Sequence, residues 1–183
     1  SNKVKPTSNH EAYGGAIQIG RDEYNLCSYV VNCSFINNGA IGRNLNNSHG
    51  GAGCVRAGII YQNCKFINNS AGQGGALTYH ASGSIEDCVF INNSAKLYGG
   101  ALSTGYIDGD MELIVVNCNF EQNNAPYGGA VQLKGKNIEI HKSIFNKNIA
   151  AINGGAINII AKTVTVDDVE FNKNIANVNG GAI

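Results

Sequence analysis

Phe90-Ile91-Asn92-Asn93-Ser94-Ala95, closed four residues later by Gly99-Gly100-Ala101, decides the fold, because the same two phrases recur along the whole chain. Gly-Gly-Ala begins at Gly14, Gly50, Gly74, Gly99, Gly128, Gly154 and Gly180. One Phe stands between successive triplets, at Phe35, Phe66, Phe90, Phe120, Phe145 and Phe171, and each opens Phe-x-x-Asn-x-Ala. Self-similarity at a fixed period makes the fold an array of one unit, whatever local motifs it carries.

Triplets follow one another at 36, 24, 25, 29, 26 and 26 residues, so the unit is about 25 residues and the long intervals hold insertions. Within a unit, apolar positions alternate with polar ones, as in strands with one buried face. The first strand follows the triplet, as in Leu77 and Tyr79 or Val131 and Leu133. The second carries Val30, Tyr61, Ile85, Val115, Ile140 and Val166, five places before each Phe. The third carries the Phe itself and Cys33, Cys64, Cys88, Cys118, Ser143 or Val169 two places earlier.

The second and third strands are out of phase by one residue, so a straight strand cannot bury both sets. A bend is expected at Asn32, Asn63, Asp87, Asn117 and Asp168, residue types that tolerate left-handed backbone. A second corner is expected at the Asn and Ala that follow each Phe, and a third at the Gly pair. Three short strands and three corners per unit predict an all-β, right-handed parallel β-helix. Its rungs would stack at ~4.8 Å, with the Phe ladder inside and the Asn ladder hydrogen-bonded along a corner.

The expected organisation is a single β-helix segment. Residues 1–13 form a partial coil, 14–179 six full coils, and 180–183 the start of another. A stop one residue into a strand, with no cap at either end, points to a segment of a longer chain. The insertions run from Gly20 to Ser28, Ile41 to His49 and Gly105 to Met111.

Charge and composition exclude several classes. Thirteen basic and thirteen acidic residues leave no net charge, against nucleic-acid binding or a polybasic membrane surface. No apolar run approaches the ~20 residues of a membrane helix, so no membrane insertion by this segment is expected.

The paired phrases Gly-Gly-Ala-[Ile/Leu/Val] and Phe-x-x-Asn resemble the repeats of polymorphic membrane proteins, the autotransporter-type surface adhesins. The resemblance covers residues 14–183 and departs at Gly53, which stands where an aliphatic residue follows the other triplets. It implies a right-handed β-helix at the cell surface, adhesion, and no catalysis.

Candidate sites follow from the insertions and from residue chemistry. Insertions in a solenoid are where recognition concentrates, which singles out Arg21, Asp22, Tyr24, Arg43, Asn44, Asp108 and Asp110 as binding residues. Cys33, Cys64, Cys88 and Cys118 read as a ladder of inward thiols, with disulfides between rungs as the alternative and tetrahedral zinc disfavoured. Cys27 in the first insertion and Cys54 at an outward place on the next first strand are a candidate disulfide. Asn-x-Ser occurs at Asn32, Asn46, Asn68 and Asn92; Asn46, Asn68 and Asn92 are the glycosylation candidates, and Asn32 lies at a tight corner. Asp108, Asp110 and Glu112 lack the full calcium-loop spacing and read as a solvated turn. Glu86, His141 and Asp167 fall at one variable corner, and His49 and His80 have no acidic neighbour at matching places.

The expected role is a structural or adhesive segment of an extracellular cell-surface protein, with no enzyme activity and no cofactor. Its partners would be a host or neighbouring-cell surface protein or glycan, or copies of itself. The alternatives are a subunit or segment of an extracellular filament and a carbohydrate-active β-helix enzyme.

Overall fold

The computed structural model describes residues 2–4, 12–20, 28–42, 44–105 and 111–183. It is an all-β solenoid of about five turns of roughly 26 residues, with three parallel sheets and one short 3-10 turn at Leu45–Asn47.

The Phe sheet has six strands, one per coil, each three residues long: Ser34–Ile36, Lys65–Ile67, Val89–Ile91, Asn119–Glu121, Ile144–Asn146 and Glu170–Asn172. Their register places Phe over Phe at every step. The rings stack face to face through the centre of the tube, with centroids 4.7 Å apart from Phe66 to Phe90, Phe90 to Phe120 and Phe120 to Phe145. Phe66, Phe90, Phe120 and Phe145 are fully buried.

Both ends of this strand are set by left-handed residues. Asn32, Asn63, Asp87, Asn117, Lys142 and Asp168 precede it with φ between 48° and 55°, which resolves the one-residue phase difference as the sequence predicts. The second corner falls one place earlier than expected. Asn37, Asn68, Asn92, Gln122, Lys147 and Lys173 carry the positive φ, two places after the Phe. The Asn at the third place then leads directly into a further strand, as buried Asn93 does into Ser94–Tyr98.

That strand is the main correction to the sequence reading. The residues between the second corner and the Gly pair form a nine-stranded sheet of their own instead of a mere corner. The third sheet takes both the first and the second strand of every coil. In the last two coils these run together as single strands, Val131–His141 and Ile157–Asp167. Lys3–Val4 pairs with Gly39–Ala40 in the nine-stranded sheet. The end of the second insertion, Ser48–His49, is also a strand there, between Ala12–Tyr13 and Gln73.

The Asn ladder satisfies itself. Asn93 Nδ2 donates to Asn123 Oδ1 at 3.0 Å and to the Phe66 carbonyl at 2.9 Å, while its Oδ1 accepts from Asn69 N and Nδ2 at 3.0 Å each. The same set repeats at Asn69, Asn123 and Asn148, which are also buried. A buried amide costs stability unless every donor and acceptor is paired, and here the next rung supplies each partner.

The triplet is specific at each place. Gly99 has φ 57°, and a Cβ on Gly100 would stand 2.1 Å from the Gly129 carbonyl oxygen of the next coil. The first Gly therefore makes the corner, and the second lets neighbouring backbones touch. Ala76, Ala101, Ala130 and Ala156 are fully buried where the strand turns inward.

Candidate binding groove

The third corner creates a concavity on the outside of the tube. The chain arrives along the nine-stranded sheet, reverses at the positive-φ Gly and leaves along the first strand, so two walls meet at an angle. A groove of about 950 Å³ lies between them.

One wall is a single register column. Tyr13 pairs with His49, His49 with Gln73, Gln73 with Tyr98, Tyr98 with Tyr127, and Tyr127 with Asn153. Each is the residue immediately before a Gly-Gly-Ala, and all six line the groove. Five rung steps of ~4.8 Å give this wall a length of about 24 Å. The facing wall carries Arg56, His80, Gln132, Lys134 and Asn158.

The column carries two pairs of rings, separated by Gln73 and followed by Asn153. Tyr13 and His49 stack with centroids 5.2 Å apart and planes 16° from parallel. The Arg56 guanidinium carbon lies 4.1 Å from the centre of the Tyr13 ring, in cation–π range. His80 meets His49 edge-on at 5.1 Å. A Cβ on Gly105 would stand 1.9 Å from a carbon of the His80 ring, so a glycine there makes room for it. Tyr98 and Tyr127 are 5.5 Å apart and tilted by 38°. Both are half-buried.

His49 is the buried member of the column. Burial and the neighbouring Arg56 charge lower its pKa from 6.5 to about 4, so it is neutral at physiological pH. Gln73 Nε2, the next rung, donates to the Asn46 carbonyl at 3.1 Å and ties the second insertion to the wall.

The predicted site residues fall as follows. Arg21, Asp22, Tyr24, Cys27, Arg43, Asp108 and Asp110 lie outside the described residues. Asn44 caps the 3-10 turn, its Oδ1 accepting from Asn46 N at 3.0 Å. Asn46, Asn68 and Asn92 are exposed. Asn68 and Asn92 occupy the left-handed second corner on adjacent rungs, with φ 55° and 53°. Cys54, placed outward by its position on the first strand, is nonetheless fully buried. That outer face is tucked under the Gly corner, where Thr78 on the next rung is buried and bonds the Gln73 carbonyl at 2.9 Å.

Cys64, Cys88 and Cys118 are buried thiols on consecutive rungs, each donating to the carbonyl two residues earlier at 3.0 to 3.3 Å. Burial raises the Cys64 pKa to about 11 and holds Cys118 well above the usual thiol range, so neither is a ready nucleophile.

The variable corner does gather charge. His141 Nε2 lies 3.2 Å from Glu139, and its Nδ1 lies 3.6 Å from Asp167 one rung on. This cluster is on the outer surface and lines no part of the groove. Among the described residues, no group of three or more His, Cys, Asp or Glu is arranged to hold a metal ion, and no helix is long and apolar enough to cross a membrane.

Fold and surface together define a repeat-built β-solenoid that keeps its repeated pattern inside and its chemical variety outside. The model of the Chlamydia polymorphic membrane protein repeat matches residues 87–105 and 168–183. Both stretches start at the left-handed residue before the Phe strand, Asp87 or Asp168, and run through the next Gly-Gly-Ala. The chain therefore carries that repeat, as its paired phrases suggest. No curated protein and no solved structure matches the chain.

The groove leaves no periodic mark in the sequence. Its column varies in residue type, so it gives no apolar period. A usable signal was present all the same: rings precede four of the first five triplets, at Tyr13, His49, Tyr98 and Tyr127.

Proposed function

We propose that this chain is an adhesive segment of a cell-surface protein, a rigid rod that presents side chains to a partner and performs no catalysis. The observation that carries the reading is the contrast between interior and exterior. Inside, the rungs repeat Phe, Asn and Ala. Outside the Phe sheet, one register column reads Ser34, Lys65, Val89, Asn119, Ile144 and Glu170, changing chemistry at nearly every step. A self-supporting core leaves the exterior free to vary, which suits recognition. The match to a repeat of surface proteins supports the same reading and a cell-surface location.

The test is adherence. Beads coated with the 183-residue chain should bind cultured cells saturably, and soluble chain should compete. Beads that adhere no better than albumin-coated ones would remove the proposal.

A further inference from the structure

We propose that the groove beside the Gly corner is a glycan site, taking an extended, equatorially linked pyranose chain along the solenoid axis. The proposal rests on the adhesive reading and names the class of its partner.

Four features select this ligand. The groove is long and open, and its volume is at the upper end of small-ligand sites. Its wall advances one rung, ~4.8 Å, per side chain, close to the advance of one sugar in an extended β-1,4-linked chain. Tyr98 and Tyr127 stand on adjacent rungs, half-exposed, and offer ring surface to the apolar faces of successive pyranoses. Around them, Gln132, Asn153 and Asn158 each bring an amide that both donates and accepts, as a polyhydroxyl ligand requires.

A peptide fits less well. The strands on both walls run across the groove, and their backbone groups are consumed in rung-to-rung bonds such as Gly99 N to the Tyr127 carbonyl and Gly128 N to the Asn153 carbonyl. Among the described residues, no strand edge faces along the groove for a peptide to extend. Recognition must come from side chains alone.

The experiment is calorimetric titration of the full 183-residue chain with chitohexaose and cellohexaose, with maltohexaose as the bent α-linked comparison. An extended hexasaccharide should bind, maltohexaose should bind at least tenfold more weakly, and Tyr98→Ala/Tyr127→Ala should lose tenfold or more. Tyr98→Phe/Tyr127→Phe should keep most of the affinity, since the ring faces remain. If the alanine pair fails to fold, saturation transfer from tyrosine ring protons to the sugar in the unaltered chain decides instead. No binding of either extended hexasaccharide, or binding indifferent to the alanine pair, overturns the glycan site. Cell adherence that persists without sugar binding would leave the adhesive reading standing while this proposal falls.

Discussion

A Cβ on Gly53 would stand 3.0 Å from the hydroxyl oxygen of Tyr61, so the small residue and the large one fill a single place in the core. Gly53 is where the repeat departs from its aliphatic rule, and Tyr61 is where the second strand carries a ring in place of Val or Ile. One irregularity answers the other. The next rung does the same: Tyr79 Cε1 lies 2.8 Å from a Cβ built on Gly83, where other coils have Ile59 or Leu113. Constant interior volume, not constant residue type, is what the stack preserves.

The Gly53 and Tyr61 pair should therefore be strongly coupled. Gly53→Val alone overpacks against Tyr61 and against Leu77 Cδ2 at 2.9 Å, and should cost about 1–3 kcal/mol. Adding Tyr61→Val restores the aliphatic pairing of Val131 with Ile140 in a later coil. Urea denaturation of the four chains of the cycle should give a stabilising interaction of at least about 1 kcal/mol. Strict additivity would mean that the two residues do not share the space.

Tyr61→Phe should be neutral or stabilising. The Tyr61 hydroxyl is buried with no hydrogen-bond partner among the described residues, and leaving such a group unpaired costs about 1–3 kcal/mol. A melting temperature clearly below that of the parent would show that the hydroxyl has a partner.

Asn93 tests the amide ladder. Asn93→Leu keeps the approximate volume, but removes the acceptor of the Asn69 backbone N–H, one of the two acceptors of the Asn69 side-chain amide, which keeps the Phe35 carbonyl, and the amide donor to the Phe66 carbonyl. A loss of about 3 kcal/mol or more is expected in urea denaturation. Exchanging Asn92 next to it, exposed at the corner, for the Lys found at Lys147 should change stability by less than about 0.5 kcal/mol.

Acid should loosen the groove first. An unfolded histidine takes up a proton near pH 6.5 and buried His49 only near 4, so the unfolded chain binds more protons between these values. The stability that His49 contributes is complete above pH 6.5 and is lost as pH falls towards 4. The melting temperature of the parent should drop more over that window than that of His49→Gln. Parallel profiles would place His49 in water.

Much of the fold was legible because ladders amplify weak signals. A single Phe-x-x-Asn says little, but six in constant order fix a register, and the phase slip between Val115 and Cys118 forces the turn found at Asn117. The strand Ser94–Tyr98 reads as a corner because it is short and its alternation of Ala95 and Leu97 with Ser94 and Lys96 is not carried through the neighbouring rung, Ser70–Gln73. The groove was hidden for a related reason. Its column is one residue deep in each coil, and what unites Tyr13, His49, Gln73 and Tyr98 is position before a turn, not polarity. The burial of Cys54 followed from the sharpness of that same turn, which no spacing rule expresses.

The most direct test uses the phenylalanines, since the protein has six and all belong to one ladder. With Phe ring protons selectively observed, nuclear Overhauser contacts should link Phe35 to Phe66, Phe66 to Phe90, Phe90 to Phe120, Phe120 to Phe145 and Phe145 to Phe171, at centroid spacings of 4.7 to 5.4 Å. Each ring should touch only its neighbours in that order. Rings without mutual contacts, or contacts that skip a rung, would contradict the stacked register and with it the groove that the register builds.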